Sequence, residues 1–578
     1  WHRRRPDALR HRNRVGRGTI MSIATETELA AAPTVPLRSP DTVMKLARMG
    51  AAHPMRLSFL RTLLRRAEAE HWRFSRPVWN IGADGFGHAV YRVDTPDSTL
   101  SLVAFSTYLA PENRTDRVIA QAWDSSYVLY DGMPDTAEIE RLAQSAPKQE
   151  AARYTRRDLA LLRANKSVRL FDHVVDALSR GTQPDPELVD QVGYLMRTTA
   201  VYGNGKFGIG DRDAVLMHPA LRGPFQAEML SVWLTRSFTL DLVEHCARAK
   251  SPVTAAPLTV DMKRRFGVGN ATGLGMAPFL VRHPALLHQW VSARETALAR
   301  VRGISAAGTE EWQGFLEALA AAQRLVAIWR TDDPIQAARI TALASDLVSL
   351  EAEARRLRVK SPAGLWNRIW QWALANLSLE GQEMTLALLL EPHGALIDDL
   401  TETMAADEEQ AVRIDGAMCC GVLARLVDEQ TQWAHDLDFS APSTQARFWY
   451  VSEEKLEPRL GERAEEPGCD LEMPLATARD ALALRAALIM VPADTLVAAF
   501  LLVEPQYRHT VRRIQQAVAR PYGEIRDNLI SADLRPIDIM RFKLAFFGAN
   551  RFDPRSDRWV RITLFRDAPL LEDICEPT

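Results

Sequence analysis

Hydrophobic positions change period several times along the chain, and each change predicts a different kind of element. Over 41–75, Leu46, Met49, Leu57, Leu60, Leu63 and Leu64 recur at roughly helical spacing, which predicts helix. From Pro77 the pattern changes. Segments 86–94 (FGHAVYRVD), 99–108 (TLSLVAFSTY) and 117–130 (RVIAQAWDSSYVLY) are β-branched and aromatic, with turn formers Thr95-Pro96-Asp97 and Pro111-Glu112-Asn113 between them. That spacing predicts a small antiparallel meander. From about 135 to 440 helical periodicity dominates. Asp332-Asp333-Pro334 is a helix start, an acidic cap with Pro in the first turn. Ile340, Leu343, Leu347, Leu350, Ala354 and Leu357 follow at spacings of three and four. The stripe is too short for an extended coiled coil, so it predicts a helical hairpin packed inside the protein; a dimer seam, and hence a homodimer, stays open. Trp366 and Trp370 share a helix face and read as core. Past 440, residues 446–452 and 558–565 read as strands, and 475–548 as mostly helix. No period of 20 to 50 residues recurs, which excludes a solenoid or propeller.

The fold class that follows is α+β and predominantly helical: a small antiparallel β meander near the N-terminus, a large helical centre and a mixed α/β C-terminal part. The expected division is a leader over 1–20, a disordered stretch over 21–40, an N-terminal α+β domain over 41–150, a helical domain over 151–440 and a C-terminal α+β domain over 441–578. The leader reading rests on seven Arg and one Asp in residues 1–20, ahead of a first Met at position 21. A basic targeting arm is the alternative.

Composition narrows the function classes. With 47% hydrophobic and 25% charged residues the chain has the make-up of a soluble globular protein. A formal charge of −2 speaks against a general nucleic-acid binder. The most apolar stretch, 481–503, is broken by Arg485, Pro492 and Asp494, so no membrane span is expected. The five cysteines (Cys246, Cys419, Cys420, Cys469, Cys575) lack any C-x-x-C spacing and fit reduced thiols in a cytoplasm. Lysines number only nine, which makes Lys206 conspicuous.

Lys206 lies in the segment with the densest candidate chemistry, 202–213 (YGNGKFGIGDRD). Four glycines there carry an entropic cost that a plain connection does not need. A Gly-rich hairpin or helix C-cap is the structural reading; the functional one is a loop whose N–H groups approach an anion, with Lys206 as the charged finger. A second such segment, 266–279 (FGVGNATGLGMAPF), runs into an apolar helix carrying His283 and His288, and a glycine loop feeding a helix N-terminus favours anions. It lacks the G-x-x-x-x-G-K-[ST] pattern and a surrounding βαβ unit, so a nucleotide reading ranks low. Glycines serving tight helix packing are the alternative. Further basic and aromatic residues mix in 541–561, and Arg520, Glu524 and Arg526 flank a Pro-Tyr-Gly turn. Asp241, Glu244 and His245 are weak metal candidates, too few to make a site, so no metal is assigned. Residues 82–93 (GADGFGHAVYRV) are superficially similar to a protein-kinase glycine loop, but the following strand has no lysine and no H-R-D or D-F-G follows. They are read as a glycine-containing hairpin.

Two readings result. In the first the chain is a soluble enzyme acting on a small carboxylate- or phosphate-bearing molecule by general acid/base chemistry, as a lyase, isomerase or acyl-type transferase without a redox cofactor. Tyr202, Lys206, Asp211 and His283 are its candidate proton carriers. Arg197, Gly203, Asn204, Gly205, Arg212, Asn270, Thr272, Gly273, Arg526 and Arg551 are its candidate binding residues. No cofactor is assigned. In the second reading the helical centre is a non-catalytic interaction or regulatory scaffold; a nucleotide-dependent phosphotransferase ranks third.

Overall fold

The structure, a computed structural model, describes residues 35–45, 48, 55–108, 123–146, 154–198, 212–272, 283–402, 404, 413–438, 449–452, 458–460, 468–470, 474–526, 536–549, 551–554 and 560–574. At 212, 271–272, 449–476, 536–540, 543, 551–554 and 560, description stops at the backbone.

The meander begins one strand earlier than its pattern predicts. Strand β1 (Arg73–Ile81) tolerates Pro77 because it lies at the sheet edge, where register shifts between Ser75 and Val78. The reversal into β2 (Gly87–Asp94) is made by Gly85 and Gly87, whose φ values of 80° and 136° suit glycine, while Asp84 accepts a bond from Phe86 N. Strands β3 (Thr99–Ser106) and β4 (Ser125–Asp131) follow in antiparallel register.

Three further strands lie where the periodicity predicts helix: β5 (Asp158–Lys166), β6 (Tyr194–Thr198) and β7 (Gly267–Thr272). Residues 159–162 (Leu-Ala-Leu-Leu) and 194–196 (Tyr-Leu-Met) are buried on both faces, so the alternation that marks a half-exposed strand is absent. The nine-stranded sheet has the order β1-β2-β3-β4-β5-β6-β7-β12-β11, closed by β11 (Arg551–Pro554) and β12 (Val560–Leu564) from the far end of the chain. One curled, mixed sheet therefore draws strands from all three segments that the sequence pattern separates.

Helix α1 (Phe59–Ala69) precedes the sheet, and α2 (Thr136–Ser145) covers one face through Leu142, against Val103, Val128 and Leu161. Helix α3 (Phe171–Ser179) and the short α4 (Arg212–Met217) flank the β6 region. Helix α5 (Gln226–Lys250) runs along the inner face against β2 to β7 and is buried on nearly every side, as an internal helix must be. Within it Arg236 is fully buried, and among the described residues its bonding partners are carbonyls rather than carboxylates. Its guanidinium donates to the carbonyls of Phe266 (2.7 Å), Ala568 (3.1 Å), Pro569 (3.0 Å) and Lys263 (3.3 Å), and burial pushes its pKa down to about 10.

The helical array comprises α6 (Pro284–Arg302), α7 (Thr309–Ala327), α8 (Pro334–Lys360), α9 (Leu365–Asn376) and α10 (Leu379–Leu390). Asp333 caps α8 by accepting from Gln336 N, as its position predicts, and Leu343, Leu347, Leu350 and Ala354 are buried against α7, α9 and α10. The stripe is thus consumed inside the chain, and Trp366 and Trp370 are core. Phe59, Phe225, Trp290, Phe542, Phe546 and Phe547 form an aromatic cluster joining α1, α6 and α15 (Pro536–Phe547). Phe546 and Phe547, from the segment 541–561 in which basic and aromatic residues mix, are buried structural rings.

A smaller bundle of α11 (Cys420–Thr431), α12 (Pro474–Ile489), α13 (Val497–Val503) and α14 (Arg508–Ala517) has a core of its own; β8 (Trp449–Ser452), β9 (Pro458–Leu460) and β10 (Gly468–Asp470) form a separate three-stranded sheet. Among the described residues no helix is long and apolar enough to cross a membrane.

Candidate functional site

Among the described residues, strands β6 and β7 are the one parallel pair in the nine-stranded sheet. Their register ends at Arg197↔Gly269, and beyond it the Asn270 side-chain amide bridges the strands, donating to the Thr198 carbonyl at 2.8 Å. Asn270 is 1% exposed, and its Oδ1 has no hydrogen-bond partner among the described residues. Because the pair is parallel, both carboxyl ends point the same way. The chain leaves β6 into residues 199–211, which open the glycine-rich segment 202–213, and leaves β7 into 273–282, while β7 itself holds Gly267 and Gly269 of the segment 266–279. Gly269 is required where it sits: a Cβ there would lie 2.5 Å from the Tyr194 ring.

The predicted site residues separate into three groups. Tyr202, Gly203, Asn204, Gly205, Lys206, Asp211 and Gly273 lie outside the described residues. Arg197, Asn270 and Thr272 lie on the parallel pair, Arg212 opens α4, and His283 is the N-cap residue of α6, its carbonyl accepting from Leu287 N. Arg197 pairs with Gly269, so side-chain alternation puts Arg197 and Asn270 on opposite faces of the sheet. Arg551 opens β11 and shares a cross-strand row with Arg197 through Thr563 and Gly269, three strands or roughly 14 Å away. Arg526 belongs to another neighbourhood: it forms an ion pair with Asp41, and its N–H donates to the Met44 carbonyl.

Asp241 and His245 do share one face of α5, but neither is free for a metal. Asp241 Oδ2 accepts from Arg76 Nη1 and from the Tyr91 hydroxyl, each at 2.5 Å. His245 Nδ1 accepts from Trp79 Nε1 at 3.3 Å, so Nε2 carries the proton donated to the Gly82 carbonyl at 2.8 Å. No group of three or more metal-ligating side chains occurs among the described residues.

A buried charge network lies where the sequence carries no motif. Arg38, in the stretch expected to be disordered, donates to Glu295 (2.8 Å from both Nε and Nη2) and to Glu383 (2.7 and 3.2 Å) between α6 and α10. Arg294 lies 3.2 Å from Glu383, and Arg48 lies 3.6 Å from it. Burial pulls the Arg38 pKa down, yet Glu383 and Glu295 outweigh it and raise it; Glu383, despite burial, is held below the usual carboxylate range by Arg38 and Arg294. The Tyr522 hydroxyl donates to the Arg38 carbonyl at 2.7 Å, so the network clamps residues 35–45 between the helical array and the turn that follows α14. Single arginines and glutamates scattered over hundreds of residues leave no spacing to read.

Comparison with family models, with curated proteins and with solved structures finds no match to this chain.

Proposed function

We propose that the chain is an enzyme acting on a small carboxylate- or phosphate-bearing substrate by general acid/base chemistry at the carboxyl ends of β6 and β7. One observation carries the reading: the two segments richest in glycine and candidate proton carriers continue from adjacent, parallel strand ends. In open α/β sheets ligands bind in the crevice outside the carboxyl ends of parallel strands, and the one parallel pair described in this largely antiparallel sheet is the place where that arrangement recurs. Backbone N–H groups of 203–205 would hold the anion, with the Lys206 ammonium as counter-charge and proton donor. Tyr202, Asp211 and His283 are the remaining candidates for proton transfer. Of Arg197 and Asn270 the buried amide is the better placed, because its Oδ1, with no hydrogen-bond partner among the described residues, can accept from a substrate hydroxyl or amine.

The test is a thermal-shift panel of carboxylates, acyl-CoAs, sugar phosphates and nucleotides against protein starting at Met21, with Lys206→Ala beside it. A bound ligand at a hundred times its Kd raises stability by about 2.7 kcal/mol. A shift in the parent protein that Lys206→Ala abolishes is the expected result. No shift with any compound would move the weight to the scaffold reading.

A further inference from the structure

A concavity lies at the β1 edge of the sheet, five strands from β6, between the β1–β2 reversal and the last two turns of α5. It has a volume of about 420 Å³, is more open than enclosed, and is lined by Arg76, Trp79, Ala83, His245, Arg248 and Ala249. That volume is in the range of small-molecule sites. The lining holds two guanidinium groups and no carboxylate. Three acids flank it: Asp241 binds Arg76, Glu244 is engaged by Lys263 at 3.1 Å and by Leu258 N at 3.1 Å, and Asp84, next to Ala83, accepts from Phe86 N at 3.0 Å.

Arg76 is set in position before any ligand arrives. Asp241 binds its Nη1, and the Arg76 guanidinium carbon sits 4.5 Å over the Trp79 ring. Tyr91 is buried against Asp241, which raises its pKa well above the ordinary value and keeps its hydroxyl protonated as the second donor to that carboxylate. Asp241 and Tyr91 both engage the guanidinium, and an anion would use those of its five N–H groups that they do not take. Arg248 is the adaptable partner: its side chain is 66% exposed, anchored by Nε to the Glu244 carbonyl at 3.2 Å, with Nη2 3.9 Å from the Glu244 carboxylate. His245 spends both nitrogens on Trp79 and Gly82 and has no donor left for an anion. Ala83 and Ala249 contribute only methyl groups to the lining.

We infer that this concavity binds a small phosphomonoester, its dianion held between Arg76 and Arg248 and its flat apolar body lying on Ala83 and Ala249. Two arginines with no competing carboxylate in the lining match a dianion better than a monoanion, and a guanidinium fork suits phosphate oxygens. The site is separate from the one proposed above and does not depend on it.

The experiment is calorimetric titration of the full chain with phenyl phosphate, in parallel with inorganic phosphate and phenol. Variants are Arg248→Ala, whose exposed side chain can be removed without touching the core, Arg76→Ala and Lys206→Ala. The proposal expects binding of phenyl phosphate, weaker binding of inorganic phosphate and none of phenol. It expects affinity to fall at least about tenfold in Arg248→Ala, the loss of one charge-assisted contact, and to stay unchanged in Lys206→Ala. The proposal is overturned if phenyl phosphate does not bind, if Arg248→Ala binds as tightly as the parent, or if Lys206→Ala alone removes the binding. Equal affinity for inorganic phosphate and phenyl phosphate would overturn the assignment of a flat body.

Discussion

His393, just past the end of α10, is 7% exposed, meets the Trp366 ring edge-on at 5.2 Å, and has no partner for Nε2 among the described residues. Burial pushes its pKa down to about 4, against a weaker upward pull from Glu311. The folded state therefore binds fewer protons than the unfolded chain, in which a histidine titrates near 6.5. The stability tied to a neutral ring is complete above the unfolded value and is lost as pH falls from there toward 4. Its ceiling is about 3 kcal/mol, from the size of the shift. Urea midpoints at pH 7 and pH 5 should differ less in His393→Gln than in the parent; equal differences would assign the acid limb to other groups. Nothing around His393 in the sequence, Glu-Pro-His-Gly, distinguishes it from a solvated helix end, because its burial comes from Trp366 on a different helix.

At the scale of elements, legibility followed periodicity. The β2–β4 meander, the capped helix α8 and strand β12 lie close to where alternation and capping residues put them. Strands β5 to β7 were hidden because burial on both faces removes the alternation, and β7 has glycine at two of its first three positions. Gly269 of β7 serves close packing between strands rather than the helix packing weighed for that segment: the Tyr194 ring of β6 occupies the space a Gly269 side chain would need. Gly269→Ala places a methyl 2.5 to 2.7 Å from three ring carbons and is expected to cost about 1–3 kcal/mol of unfolding free energy. Most of that loss should return in Gly269→Ala/Tyr194→Ala measured against Tyr194→Ala alone. A cost that persists without the ring would place the strain in the strand backbone instead. What the sequence did reveal about the candidate site is that glycine, asparagine and lysine concentrate after two short segments. That these segments are adjacent parallel strands depends on pairing across about seventy residues, which no local pattern encodes.

The whole molecule is closed by its last described segments. Strand β12 pairs with β7, α15 supplies Phe542, Phe546 and Phe547 to the cluster around Trp290, and the Ala568 and Pro569 carbonyls satisfy Arg236 in the middle of α5. A chain of three separately folding domains would tolerate losing its last segment, with the N-terminal strands unaffected. The observed topology predicts otherwise for a truncation that removes everything from Pro536 onward. Strand β7 would become an unpaired edge, Arg236 would keep its charge in the interior with fewer acceptors, and the faces of α1 and α6 that meet α15 would be bare. Helix α5 packs against β2 to β7 together, so damage at β7 and at Arg236 reaches the meander through that one helix. The truncated chain should lose the cooperative thermal transition of the parent in far-UV circular dichroism, and the β1–β4 strands should become open to limited proteolysis. If those strands stay protected and the transition keeps its midpoint, the meander folds by itself and the shared sheet is not the cooperative unit.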